Sequence, residues 1–319
     1  MKIVFLDRNT IGSDIDVSFF TKFGELKEYN SCSPDESAEY IKDADVVIFN
    51  KTVMNSTILD GAPDVKLLCV TATGYDNIDI EYCKKRNIAV CNVRGYSTPA
   101  VVQHTFALAL YVLEKIYYYD NYVKSGEYCK ASGFSNFDER YCELEGKTWG
   151  IVGLGNIGKG VARVAKAFGC RVIYHSVSGN NCSDEYERVD FDRLLRESDI
   201  ISLHCPLTDR TRGLINMEAF KKMKKSAILV NVARGPVVDE QDLYTALSKD
   251  MIAGAGLDVL SREPMSVDNP LAAYKDSRKL IITPHMAWAS VEARGRCMQE
   301  IYKNIESFLA GDTRNRVDI

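Results

Sequence analysis

The chain has 319 residues, 46% of them hydrophobic, and a formal net charge of −4 at pH 7 from interspersed acidic and basic side chains. That is enough to fill one large or two modest cores, and it offers no basic stripe for a phosphate backbone, so nucleic-acid binding is disfavoured. Apolar runs such as "ILVNVA" and "KLIITP" fall far short of the roughly 20 residues a membrane span needs.

The chain opens directly on a strand pattern, "KIVFLD", with no charged n-region or apolar h-region before it, so a soluble, cytoplasmic protein is expected. The strand-like runs "ADVVIFN", "VKLLCV" and "NIAVCNV" follow, separated by the helix-like "SPDESAEYIKDA" and "NIDIEYCKKR". Such alternation predicts a parallel sheet. The ten cysteines are scattered singly, with no CxxC pair, and several lie inside strand-like runs. Buried thiols in a reducing compartment account for them better than disulfides, and no metal site is expected. Residues 97–119, "STPAVVQHTFALALYVLEKIYYY", begin with a Ser or Thr cap and a proline, then keep helical spacing, predicting one helix long enough to bridge two domains. Residues 120–146 break that pattern: Tyr122, Tyr128, Phe134, Phe137 and Tyr141 lie among glycines and charges. An irregular aromatic-rich segment of this kind is expected to cover a partner.

A second series follows, with strand patterns at "TWGIVGLG", "RVIYHS", "DIISLHCPL", "AILVNVARG", "IAGAGLDV" and "LIITPH". The run "KKMKK" at 221–225 reads as the solvated end of a helix, and "SVEARGRCMQEIYKNIESFLAG" predicts a last helix that returns to pack on the first domain. The second series is thereby inserted into the first.

Gly153, Gly155 and Gly158 of "GLGNIG" stand between a strand and an amphipathic helix. Glycines there allow a tight turn, close approach of backbone to a pyrophosphate and close helix packing, with the helix N-terminus favouring the anion. The lone motif is weak, but strand, helix and second strand all fit a dinucleotide site. The loop after the second strand, "VIYHSVSGNN" (172–181), carries Ser176 where an acidic residue would usually hold the adenosine ribose. Arg234, Glu263 and His285 each lie just past a predicted strand of this series, where open α/β sheets bind ligands. Singly they have bland readings as an ion pair, a solvated carboxylate and a satisfied polar residue. Together they bring a cation, a carboxylate and an imidazole to the expected nicotinamide end.

With these residues the chain resembles the D-isomer-specific 2-hydroxyacid dehydrogenases along essentially its whole length. The motifs that carry the likeness run in order: "TATGYDNID", "GLGNIG", "LHCPLTDRTRGLIN", "NVARGPVVDE", "LDVLSREP" and "TPHMAWAS". "GYSTPAVVQHTFAL" and "HMAWAS" resemble the glycerate dehydrogenase or hydroxypyruvate reductase branch. The resemblance implies an α/β protein of two doubly wound parallel-sheet domains: a flavodoxin-like substrate domain (1–96 plus 286–319) and an inserted Rossmann domain (97–285). The latter includes the linker helix 97–119 and a dimer arm at 120–146.

The resemblance assigns Arg234 to the substrate carboxylate and carbonyl oxygen, His285 to proton donation and Glu263 to the imidazole. Backbone N–H groups of Thr73 and Gly74 would cradle the carboxylate, an ordinary tight turn being the plainer reading of that pair. Trp288 would narrow the cleft toward hydroxypyruvate or glyoxylate, with packing in the hinge as its alternative. Further contacts to NAD, with NADP not excluded, are implied at Asn156, Ile157, Cys205, Pro206, Thr211, Val232, Ala233 and Asp258. His104, His175 and His204 are set aside as catalysts. The implied activity is reversible reduction of a small 2-keto acid to a D-2-hydroxy acid by a homodimeric enzyme. An NAD(H)-sensing corepressor on the same fold, like the C-terminal binding proteins, is the alternative.

Overall fold

Blocks of Val, Ile, Leu and Phe buried on both faces make the strands, as parallel sheets require. The computed structural model describes residues 1–319. Strands β1 (Lys2–Phe5), β2 (Glu25–Glu28), β3 (Val46–Phe49), β4 (Leu67–Val70) and β5 (Ala89–Cys91) form one parallel sheet in the order β2-β1-β3-β4-β5. That is the flavodoxin-like order. Strands β6 (Thr148–Val152), β7 (Arg171–His175), β8 (Glu187–Arg188), β9 (Ile200–Leu203), β10 (Ile228–Asn231), β11 (Gly254–Leu257) and β12 (Leu280–Ile282) form a second parallel sheet, β12-β11-β10-β9-β6-β7-β8. Its order reverses between β6 and β9, as in a Rossmann sheet.

The helices are α1 (Pro34–Tyr40), α2 (Ser56–Leu59), α3 (Ile80–Lys85), α4 (Thr98–Leu113), α5 (Ile116–Lys124), α6 (Asn156–Ala167), α7 (Phe191–Glu197), α8 (Met217–Lys222), α9 (Glu240–Ser248) and α10 (Val291–Leu309). Local chemistry sets many of their starts. Ser33 and Glu36 form a reciprocal capping box ahead of α1 with Pro34 in its first turn, and Ser290 caps α10 through the Ala293 amide. No helix is long and apolar enough to cross a membrane.

The chain divides into two units, Met1–Ser97 with Ala289–Ile319, and Thr98–Trp288. In the first, α10 lays Cys297, Met298, Ile301 and Ile305 inward and packs on β4. In the second, α4 lies on β10, β11 and β12 and against α6. Glycines make that approach possible: a Cβ at Gly254 would stand 2.5 Å from Val112, at Gly256 2.7 Å from Leu108 and at Gly160 2.6 Å from Val102.

Three expectations need correction. Strand β2, "ELKE", and the two-residue β8 are polar edge strands that hydrophobic patterning does not reveal. The single helix expected over 97–119 breaks at Lys115, whose φ is 55°, into α4 and α5. Helix α5 then runs to Lys124, into the segment expected to be irregular. It buries none of its residues, so the sheet that holds α4 straight exerts no such pull beyond it. Finally, Met286–Trp288 belong to the second unit rather than the first, the Met286 and Ala287 amides being bonded to Asp258.

Candidate active site

The sheet topology brings the expected chemical groups to one edge of the second unit. Arg234, Glu263 and His285 follow β10, β11 and β12, three strands that are neighbours in the sheet, all at their carboxyl ends. Parallel strands place those ends on the same side, so residues far apart in sequence share a rim.

Each side chain is positioned by its own loop. Asn231, buried at the end of β10, accepts from the Ala233 amide at 3.0 Å and donates to the Arg234 carbonyl at 3.0 Å, shaping the turn that presents Arg234. A Cβ at Gly235 would fall 1.9 Å from the Leu260 backbone, so the Arg234 and Glu263 loops pack directly against each other. The Leu260 amide donates to Glu263 Oε1 at 3.0 Å, and Glu263 Oε2 lies 2.6 Å from His285 Nδ1. That pairing occupies Nδ1 and leaves Nε2 as the ring nitrogen able to hold a transferable proton.

His285 has φ 56°, a left-handed backbone that its own turn must hold. Asp258 does so, accepting from the Met286 amide at 2.7 Å, the Ala287 amide at 2.8 Å and the Thr283 hydroxyl at 2.6 Å. Its carbonyl takes the His285 amide at 2.8 Å. Burial alone raises the proton affinity of this carboxyl, yet hydrogen bonds from His104, Thr283, Ala287 and Met286 hold its pKa below the ordinary value. At 2% exposure Asp258, which the resemblance counts among the NAD contacts, is committed to the turn that carries the imidazole. His104, set aside above, has partners after all: its Nε2 lies 2.9 Å from Thr283 Oγ1 and 3.4 Å from Asp258 Oδ1.

At the point where the strand order reverses, the same rim opens into a cavity of about 410 Å³. Gly153, Ser176, Cys205, Pro206 and Thr211 line it, together with Ser178, Asn181, Asp209 and Arg210. Gly155 caps α6, and a Cβ there would meet nothing within 4 Å, leaving the helix N-terminus open to an anion. Asn156, Ile157 and Gly158 begin that helix. The cavity and the open helix end fit an adenosine and a pyrophosphate. The Cys205 thiol is pushed up to about 11 by burial and serves as an apolar wall. Thr211 uses its hydroxyl to hold the loop, donating to the Pro206 carbonyl at 2.7 Å. Val232 and Ala233 lie in the Asn231 turn, Ala233 buried in one core cluster of the unit and Val232 packed against another.

The other histidines do different work. His204 is driven down to about 3 by burial, so it stays neutral at any working pH. His175 Nδ1 lies 3.2 Å from the Val189 carbonyl. Arg188, the nearest downstream arginine to the ribose loop, braces it from outside by donating to the Gly179 carbonyl at 3.1 Å. The cation in the cavity is instead Arg210, from the loop after β9, where reading along one loop does not look.

In the first unit, the Thr73 hydroxyl donates to the Val93 carbonyl at 2.8 Å, and Asn92 donates to the Thr73 carbonyl at 2.8 Å. Asn304 of α10 in turn holds the Asn92 carbonyl at 2.9 Å. This turn leaves the Thr73 and Gly74 amides without an intrachain acceptor. Trp288 is half-buried at the last position of the second unit.

A Rossmann-ordered sheet with an open helix N-terminus and a carboxylate-paired histidine defines a nucleotide-dependent oxidoreductase. The profile described as D-isomer specific 2-hydroxyacid dehydrogenase, NAD binding domain, matches residues 106–287. The chain is 39% identical to the glycerate dehydrogenase of Methylorubrum extorquens, over 99% of each chain. It is 37% identical to the hydroxypyruvate reductase of Blautia hydrogenotrophica, over the full length of both. Among solved structures it is similar to an acyclic imino acid reductase in complex with NADPH and D-Arg, at 32% identity and a TM-score of 0.86, covering 99% of this chain and 100% of the other. The chain belongs to the D-isomer-specific 2-hydroxyacid dehydrogenase family, and its activity is that of a hydroxyacid dehydrogenase. The regulator alternative finds no support in these relatives.

Proposed function

We propose that the enzyme interconverts hydroxypyruvate and D-glycerate, with glyoxylate as a smaller second substrate, and that Arg234, Glu263 and His285 carry the reaction. The observation that carries the chemistry is the 2.6 Å pair of His285 and Glu263 at the carboxyl end of a sheet that also presents Arg234. For the substrate, support comes from full-length similarity to a glycerate dehydrogenase and a hydroxypyruvate reductase.

A nicotinamide cofactor, when bound, supplies or accepts the hydride. The second unit would hold it through the glycine turn, Asn156 and Ile157 at the start of α6, and the cavity beside Ser176. The protein's own groups manage the rest. In the second unit the Arg234 guanidinium holds the substrate carboxylate, a planar fork being suited to it. In the first unit the Thr73 and Gly74 amides are proposed as carboxylate donors, glycine permitting close approach. Arg234 also faces the carbonyl oxygen as charge develops there. His285 delivers its Nε2 proton to that oxygen, and Glu263 keeps the ring oriented. Trp288 narrows the substrate site against branched and aromatic keto acids. A kinetic panel of keto acids with both cofactors tests the assignment. Higher kcat/KM for phenylpyruvate than for hydroxypyruvate would defeat the size argument.

Glu263→Gln leaves an acceptor that must compete with its own amide nitrogen for the place beside His285 Nδ1, so the ring loses its orienting carboxylate and kcat for reduction should fall about 10-fold or more. Near-parental kcat, with chemistry shown to be rate-limiting, would count against the pairing.

The enzyme should accept both NAD and NADP, with NAD somewhat favoured. Ser176 can meet a ribose hydroxyl but repels no 2′-phosphate, while Arg210 in the same cavity is offset by Asp209. The two kcat/KM values should lie within about 10²-fold, or roughly 2.7 kcal/mol, and Ser176→Asp should penalise NADP alone. A parental preference beyond about 10³-fold would show that another contact decides.

The arm at 120–146, which begins in the last turns of α5, is proposed as much of a homodimer contact. Phe134 is 90% and Phe137 84% exposed, beside the exposed Tyr128 and Tyr141. Tyr119 donates to the Glu139 carbonyl, and Arg278 pairs with the Glu139 side chain, so the arm is tethered while its aromatic rings face outward. Light scattering should give twice the 35.7 kDa of one chain; a one-chain mass at micromolar concentration would refute it. All ten cysteines are free, which supports a cytoplasmic setting.

A further inference from the structure

His104 has been given no role above, and its place is specific. It comes from α4, 179 residues before its partner Thr283, and meets the two residues that immediately follow β11 and β12, Asp258 and Thr283. Three separate elements converge on one small polar cluster beneath the turn that carries His285.

The donors and acceptors in this cluster can be counted. Asp258 is buried, and its ionised carboxylate only accepts. The Thr283 hydroxyl has one proton, and the acceptor at 2.6 Å is Asp258 Oδ1. Its oxygen is then free to accept, and the atom facing it at 2.9 Å is His104 Nε2. His104 must therefore carry its proton on Nε2. The chain runs from His104 through Thr283 to Asp258, and from Asp258 to the amides of Met286 and Ala287, the two residues after His285. The same Nε2 lies 3.4 Å from Asp258 Oδ1 and is the nearest cationic or potentially cationic group paired with that carboxylate.

We infer that His104 is a positioning residue: by donating from Nε2 to Thr283 and Asp258, it completes the clamp that holds the left-handed turn at His285, and so holds the imidazole in register with Glu263. It touches neither substrate nor reacting atoms. The inference rests on the reading of His285 as proton donor, but the clamp itself can be measured without substrate.

The test compares His104→Ala with His104→Gln, whose amide nitrogen can supply the lost N–H. In the Ala variant, kcat for hydroxypyruvate reduction should fall about 10-fold or more, while the KM for keto acid and the affinity for reduced cofactor stay within about threefold. Hydrogen exchange at the Met286 and Ala287 amides, followed by NMR on the protein without substrate, should quicken about 10-fold. The Gln variant should restore both kcat and exchange to within about threefold of the parent. Parental exchange at those amides in the Ala variant would overturn the clamp. So would a Gln variant as loose as Ala, since packing rather than the hydrogen bond would then be responsible. If exchange responds as expected but no keto acid is reduced even by the parent, the clamp stands and the proposed reaction fails.

Discussion

Replacing His285 with alanine should cut kcat for reduction by about 10² to 10⁴-fold while leaving reduced cofactor bound with near-parental affinity. That range is what a positioned general acid contributes. The imidazole is suited to the task because Glu263 Oε2 occupies Nδ1 at 2.6 Å, leaving one proton to give, at Nε2. Two of the other histidines are committed elsewhere. His204 is driven down to about 3 by burial, and His104 spends its Nε2 proton on Thr283. Pre-steady-state reduction with cofactor binding measured alongside would check the result. Near-normal turnover would remove His285 from the reaction.

Arg234→Ala should be of similar size but of a different kind. The guanidinium is proposed to meet both the substrate carboxylate, present throughout, and the carbonyl oxygen, whose charge grows only as reduction proceeds. Its loss should therefore raise KM and lower kcat together, with kcat/KM down by about 10³-fold, or roughly 4 kcal/mol. Arg234→Lys should recover little, because an ammonium keeps the charge but not the planar fork. Steady-state kinetics for the two variants decide this. A rise in KM at unchanged kcat would leave Arg234 a carboxylate anchor and nothing more.

The parts of this fold that read clearly from sequence are those where one physical demand dominates. Strands such as "VVIF" and "LLCV" are apolar throughout because both faces are buried, and the glycines of "GLGNIG" stand where a helix begins close to a strand. Strand β2 does not read as a strand because an edge strand with half-exposed faces can be "ELKE". The break at Lys115 is equally hidden: apolar spacing continues through 119, and only the end of contact with the sheet stops the helix.

The site divides in the same way. Arg234, Glu263 and His285 lie in glycine- and proline-punctuated loops directly after strands, so position along the chain exposes them. Asn231 could have been noticed as a turn-former at a strand end. His104 could not, since its partners come 179 residues later and only the packing of α4 on the sheet brings them together. Arg210 is hidden for a similar reason, as β6 and β9 become neighbours only in the folded sheet. A reading confined to the loop after β7 finds no cation at Ser176.

Incubation of the purified enzyme with hydroxypyruvate and reduced cofactor, followed by chiral chromatography of the product, tests the central claim most directly. Cofactor oxidation should match product one for one, and the product should be D-glycerate. No cofactor oxidation, or L-glycerate as the product, would contradict the account.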